Sequence, residues 1–213
     1  MQIGACARSS LFNGAVVCVR REQASLTDHQ SATRQTIERM GELALRSRAG
    51  LAVEITAMQI RNGAVVRPGP RPITECEGVW WFLRRSLRFV HDAESLAALL
   101  NAGDDLELLI EPELLLRMSA PFGDCDEYAM AAAALVLNLG LEAELVTMAV
   151  EPLRPWRWSH VFAQAVLPCG RRFVLDPTPH ASRPGWVVPF HRRYRVQEWD
   201  LSGRPIRTGG YEG

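Results

Sequence analysis

Apolar residues in the first half of the chain repeat at the spacing typical of helices. After Thr33, a residue suited to open a helix, Ile37, Met40 and Leu43 fall near one helical face. A further helix is predicted to start at Thr74. Its apolar positions are Val79, Trp80, Phe82, Leu83 and Leu87.

Two stretches between and after these helices are less regular. Residues 51–60 alternate as a strand would, yet Leu51, Ile55 and Met58 also share helical spacing, and a helix is favoured. Residues 91–116 contain apolar clusters separated by polar and proline positions, which indicates short elements. The Pro- and Gly-rich segment 67–72 resembles a loop more than a domain boundary, because its two flanks are similar in composition.

The second half combines one helix with strands. Asp124 is suited to cap a helix and Gly140 to end it, so a helix is predicted over residues 125–139. Residues 141–150 alternate as a strand. Residues 160–167 and 171–176 read as a hairpin around Pro168-Cys169-Gly170.

The length of 213 residues fits a single catalytic domain, which we assign to residues 30–200. Residues 1–29 show no sustained period and are predicted to be a poorly ordered arm. Residues 201–213 are predicted to be a loose tail.

Charge and cysteine usage exclude several classes of function. The 24 basic and 24 acidic residues balance, so no net field attracts nucleic acid or an acidic membrane. The longest apolar run falls far short of the roughly 20 residues that cross a bilayer, and the N-terminus lacks the early basic region of a signal peptide. The five cysteines include no C-x-x-C pair, which favours a reducing compartment, and a cytoplasmic location is expected.

Cys125 is the strongest candidate for chemistry. It stands at the predicted start of the helix, where unpaired amides and the helix dipole stabilise a thiolate. The first amides of a helix also lack acceptors within it, so they can hold the oxyanion of a tetrahedral intermediate.

His160 and Asp176 lie on the two strands of the predicted hairpin. With a three-residue loop, Leu167 faces Arg171 and His160 faces Thr178, which leaves Asp176 on the same face as His160. A loop of two or four residues would place the two side chains on opposite faces. Taken singly, each of the three residues has an ordinary structural explanation, but their joint order favours a Cys125, His160 and Asp176 triad.

These residues resemble the transglutaminase-like superfamily, and most closely its small bacterial and bacteriophage members. The likeness rests on Gly123-Asp124-Cys125-Asp126-Glu127, then His160-Val161-Phe162 and Leu175-Asp176-Pro177-Thr178, and covers about residues 74–180. It implies a papain-like α+β fold, in which a helical N-terminal half and the nucleophile helix pack on an antiparallel sheet. It also implies that Cys125 is the nucleophile, His160 the base and acid, and Asp176 the residue that orients His160.

Four tryptophans are further candidates. Trp80 and Trp81 each offer an indole N–H as a second oxyanion donor, although tryptophans at this spacing are usually core. Trp156 and Trp158, just before His160, are predicted to line a substrate-binding cleft.

The function predicted from the sequence is hydrolysis of amide or peptide bonds in a peptide or protein substrate, without a cofactor or metal. One alternative is a non-catalytic interaction or phage-assembly protein on the same fold. Another is an enzyme that cross-links or deamidates protein glutamine. A metal held by Cys125, His160 and Asp176 is less favoured, because the three lack a paired local spacing. The sequence leaves the oligomeric state open.

Overall fold

The computed structural model describes residues 16–20, 26–65, 68–91, 106–189 and 195–210. Within them the helices are α1 (Leu26–Ser47), α2 (Leu51–Val65), α3 (Arg71–Ser86), α4 (Pro112–Arg117) and α5 (Cys125–Asn138). The strands are β1 (Val16–Arg20), β2 (Arg88–Phe89), β3 (Leu106–Ile110), β4 (Phe122–Gly123), β5 (Glu142–Ala149), β6 (His160–Val166), β7 (Arg172–Leu175), β8 (Arg195–Trp199) and β9 (Pro205–Gly210).

The main sheet has five strands in the order β7-β6-β5-β8-β9, and each neighbouring pair is antiparallel. Two small pairs lie outside it: β1 with β3 is antiparallel, and β2 with β4 is parallel. The α+β class predicted from the sequence is confirmed, with helices preceding an antiparallel sheet.

Helix α5 lies at the centre of the core. It packs on β6 and β5 on one side and contacts α1, α2 and α3 on others. From Asp126 to Val136 every residue is buried, and the run of alanines lets neighbouring elements approach closely. The side chains of Val161, Ala163 and Ala165 belong to this core, as does Leu175 of β7.

The hairpin forms in the predicted register. Ala163 pairs with Leu175 and Val166 with Arg172, and Leu167 accepts a hydrogen bond from Gly170 at 2.8 Å and donates one to Arg171 at 2.8 Å. The connection is therefore the three-residue loop, with Gly170 at a φ of 78° that favours glycine. The helical interpretation of residues 51–60 is also confirmed, since they lie within α2.

The predicted arm and tail differ from the structure in part. Val16–Arg20 pairs with Leu106–Ile110, and α1 begins at Leu26, both inside the segment expected to be poorly ordered. Pro205–Gly210 adds an edge strand to the main sheet, where a loose tail was expected. Strand β1 is short and pairs with a segment distant in sequence, so the local pattern gives little indication of it. Strand β9 pairs with β8, its neighbour in the chain, but it contains Pro205, Gly209 and Gly210, residue types that are depleted in strands. The division of the chain into one catalytic domain with flanking segments stays a prediction.

None of the described helices combines the length and the apolar character that crossing a bilayer requires.

Candidate functional site

The start of α5 is closed by a capping box. The Asp124 side chain accepts a hydrogen bond from the Asp126 amide at 3.0 Å, while the Glu127 side chain accepts one from the Asp124 amide at 3.0 Å. Cys125 is the first residue of the helix and is half-buried. The predicted cap at Asp124 is confirmed, and it fixes the thiol at the helix N-terminus.

Glu127 also connects this helix start to a neighbouring strand. Its carboxylate accepts a hydrogen bond from the Ile110 amide of β3 at 3.0 Å and is 1% exposed. A Cβ at position 123 would overlap the side chain of Glu127, so only glycine fits there. The pattern of Gly123, Asp124 and Glu127 therefore has a packing reason, which is to hold a buried carboxylate at the helix N-terminus.

Replacing Gly123 with alanine is expected to destabilise the protein by about 1–3 kcal/mol, because the added methyl group displaces the Glu127 carboxylate. Urea unfolding followed by circular dichroism measures this loss. The matched control is Gly63→Ala in α2, where an added Cβ meets no neighbouring atom. Equal unfolding free energies for the two variants would contradict the assigned role of Gly123.

His160 and Asp176 are brought together by the hairpin. His160 Nε2 lies 2.8 Å from Asp176 Oδ2, and the Asp176 side chain is almost fully buried. The other carboxylate oxygen, Oδ1, accepts hydrogen bonds from the Thr178 hydroxyl at 2.7 Å and the Thr178 amide at 3.3 Å. Both oxygens of Asp176 are thus hydrogen-bonded, and the Nε2 edge of the His160 ring is held by one of them.

The helix that begins with Cys125, α5, packs on β6, the strand that begins with His160. The Cys125 thiol contacts Asp126 Oδ1 at 3.6 Å. The pairing of Asp176 with His160 is observed directly, while their joint action with Cys125 remains a prediction.

The predicted oxyanion role of Trp80 is not supported by its contacts. Its indole N–H donates a hydrogen bond to the main-chain oxygen of Asp176 at 3.1 Å within the buried core. A donor already bonded to a carbonyl is not available to an oxyanion. Trp81 lies on another face of α3, where it is 38% exposed, lines a shallow groove with Gln59 and packs against Arg85.

The two downstream tryptophans lie in the loop that precedes His160. The Arg195 guanidinium lies over the Trp158 ring at 4.6 Å from its centroid, and it donates a hydrogen bond to the Trp156 carbonyl at 3.2 Å. The Trp156 side chain is 49% exposed. Arg195 therefore fastens the loop to β8 and leaves one aromatic side chain open to solvent, while the substrate-binding role stays a prediction.

The described cysteines differ in their accessibility. Cys76 is fully buried in α3, and burial, with the charges of Glu75 and Glu77, raises the pKa of its thiol to about 12. Cys169 is exposed at the hairpin turn. Cys76 is therefore inert near neutral pH, and Cys169 provides an internal reference for the reactivity of Cys125.

Only one group of possible metal ligands occurs among the described residues: Asp124, Cys125 and Asp126, whose ligand atoms lie within 4.8 Å of one another. These residues adjoin one another in sequence, and Asp124 already caps α5. Their proximity follows from the helix start itself. The group differs from the Cys125, His160 and Asp176 set considered from the sequence.

No family model and no curated protein matches the chain. Among solved structures, a candidate protease from Parabacteroides distasonis is similar at 15% identity and a TM-score of 0.47. The likeness covers 79% of this chain and 30% of that one, so the chain spans less than a third of that protein. A TM-score this low does not establish a shared fold, and the function proposed below rests on the site itself.

Proposed function

We propose that the protein is a cysteine-dependent acyl-transfer enzyme of the transglutaminase-like type that hydrolyses amide or peptide bonds. The observation that carries this proposal is the 2.8 Å pairing of His160 Nε2 with Asp176 Oδ2, beside a helix that Cys125 opens. A buried carboxylate bonded to a histidine ring fixes the orientation and tautomer that a general base requires. The capped helix N-terminus supplies the setting that favours a thiolate.

In the proposed reaction, the Cys125 thiolate attacks the carbonyl carbon of an amide. Because Asp176 engages Nε2, the other ring nitrogen of His160, Nδ1, takes the thiol proton and gives it to the departing amine. The C–N bond breaks and a thioester remains on Cys125. Water then attacks the thioester as His160 accepts a proton from it, which releases the carboxylic acid and restores the thiol.

Hydrolysis is favoured over cross-linking because water needs no second binding site. The substrate is proposed to be a peptide or protein whose side chains contact Trp156 and Trp158 in the loop ahead of His160. Exposed Leu153 in the same loop extends this surface toward apolar substrate groups.

The proposal is tested by comparing thiol reactivity within one molecule. The full chain is treated with iodoacetamide at about pH 6, where an ordinary thiol is mostly protonated, and alkylation of each cysteine is followed by peptide mass spectrometry. Cys125 is expected to react faster than exposed Cys169, while buried Cys76 stays unmodified. His160→Ala is expected to remove the advantage of Cys125 over Cys169.

Activity is then measured with a panel of peptide amides and glutamine-containing proteins, with and without a primary amine. Release of ammonia or peptide fragments without the amine supports hydrolysis. Incorporation of the amine supports transfer instead. If Cys125 reacts more slowly than Cys169 and no substrate is turned over, the non-catalytic alternative on the same fold replaces this proposal.

A further inference from the structure

Helix α3 holds the segment that follows Asp176. Trp80 and Arg84 stand one turn apart on the same face of this helix. The Trp80 indole donates to the Asp176 carbonyl at 3.1 Å. The Arg84 guanidinium donates to the carbonyls of Pro177 at 2.6 Å and of Thr178 and His180 at 3.4 Å.

The segment that begins at Asp176 lies outside the sheet, and side chains of α3 bind its backbone there. Strand β7 ends at Leu175, which pairs with Ala163, so the pairing of β6 with β7 stops just before Asp176. The main-chain oxygens of residues 176–178 and 180 are bound instead by the indole and guanidinium of α3. Hydrogen bonds from a charged guanidinium are among the stronger ones in proteins. The hydrogen bonds from Trp80 and Arg84 therefore restrain the backbone of Asp176 and of the residues after it.

The same helix is attached to the nucleophile helix. The Tyr128 hydroxyl, one turn after Cys125, donates to the Leu87 carbonyl at the end of α3 at 2.6 Å. Burial raises the pKa of Tyr128 to about 12, although the positive charge of Arg84 acts in the opposite direction. The phenol therefore keeps its proton throughout the neutral range, and α3 contacts both the Cys125 helix and the Asp176 segment.

We infer that Trp80 and Arg84 are positioning residues, which act through the backbone of residues 176–180 to hold Asp176 against His160. This inference rests on the proposed function for its effect on turnover. Neither residue touches the reacting atoms. Their role is to fix the distance and direction of the carboxylate, and a misplacement of about 1 Å in such a group can lower a rate by about 100-fold.

The chain offers a neighbouring control for each residue. Arg85 follows Arg84 but stacks on the Trp81 ring at 5.1 Å, and Trp81 follows Trp80 but lines the groove between α2 and α3. Arg84→Ala and Trp80→Phe are therefore compared with Arg85→Ala and Trp81→Phe. Arg84→Lys is included because it keeps the charge and the packing stem but loses the planar fork that spans several carbonyls.

The first measurement is independent of activity. The His160 Nε2 proton bonded to Asp176 is expected to give a low-field proton NMR resonance, assigned by its loss in His160→Gln. Arg84→Ala and Trp80→Phe are expected to weaken or remove this resonance, while both control variants retain it. The melting temperature of each variant reports whether it is folded.

The second measurement is turnover. Arg84→Ala is expected to lower kcat by about 10- to 100-fold with KM nearly unchanged. Arg84→Lys is expected to have a kcat between those of Arg84→Ala and the wild type. If the wild type shows the resonance but turns over no amide, the proposed function fails and the positioning role stands. A wild-type spectrum without the resonance, or folded Arg84→Ala and Arg84→Lys proteins that match Arg85→Ala in both measurements, would overturn the inference.

Discussion

Cys125→Ala is expected to abolish amide turnover, with a loss of roughly 10⁴-fold or more, while the protein keeps its fold. The Cys125 sulfur is the atom that forms the covalent bond to substrate in the proposed reaction, and the alanine side chain has no nucleophilic atom. The fold survives because the helix start is held by Asp124 and Glu127 rather than by the thiol. Turnover of the best substrate of the panel and the melting temperature are the two measurements.

Cys169→Ala is the matched control, because it removes an exposed thiol at the hairpin turn without touching α5. It should leave both kcat and the melting temperature close to the wild-type values. If Cys125→Ala retained the turnover of Cys169→Ala, a covalent mechanism through Cys125 would be ruled out.

Asp176→Asn is expected to lower kcat by about 10²- to 10⁴-fold. The replacement is nearly isosteric, so the hydrogen bonds that Thr178 donates to position 176 can persist. The neutral amide, however, no longer stabilises the imidazolium that His160 becomes during proton transfer. Steady-state kinetics should show the effect mainly in kcat, since Asp176 is buried and acts through His160 in the proposed reaction.

Asp200→Asn is the control that tests whether a loss of kcat in Asp176→Asn comes from removing any hydrogen-bonded carboxylate. Burial alone would raise the pKa of Asp200, but hydrogen bonds from Ser202 and Arg204 lower it to about 2. Its carboxylate is thus well bonded within its own turn, between β8 and β9. This variant is expected to lose some stability and to keep its kcat. Comparable losses of kcat in the two variants would show that Asp176 has no special role.

Local features of the site could be predicted from the sequence because neighbouring residues determine them. Asp124 caps the helix through an amide two positions away, and Pro168-Cys169-Gly170 sets the hairpin register through its length. If the loop has three residues, its register places His160 and Asp176 on one face, and the structure shows this loop length. The observed contact between them agrees with this expectation.

Contacts between distant parts of the chain could not be predicted in the same way. The Trp80 indole and its acceptor on Asp176 are 96 positions apart, and no periodicity encodes such a pair. A tryptophan at an apolar helical position is equally consistent with a core residue that packs and one that also donates a hydrogen bond. The pairing of Val16–Arg20 with Leu106–Ile110 is hidden for the same reason.

The burial of α5 has a consequence for how the site can move. Amides in a helix enclosed by both the sheet and the other helices exchange with solvent only when much of the domain opens, so this helix should be among the slowest parts of the chain to exchange. Cys125, the proposed nucleophile, is consequently part of the most cooperative unit of the protein. Heat is therefore expected to remove the reactivity of Cys125 only as the domain itself melts.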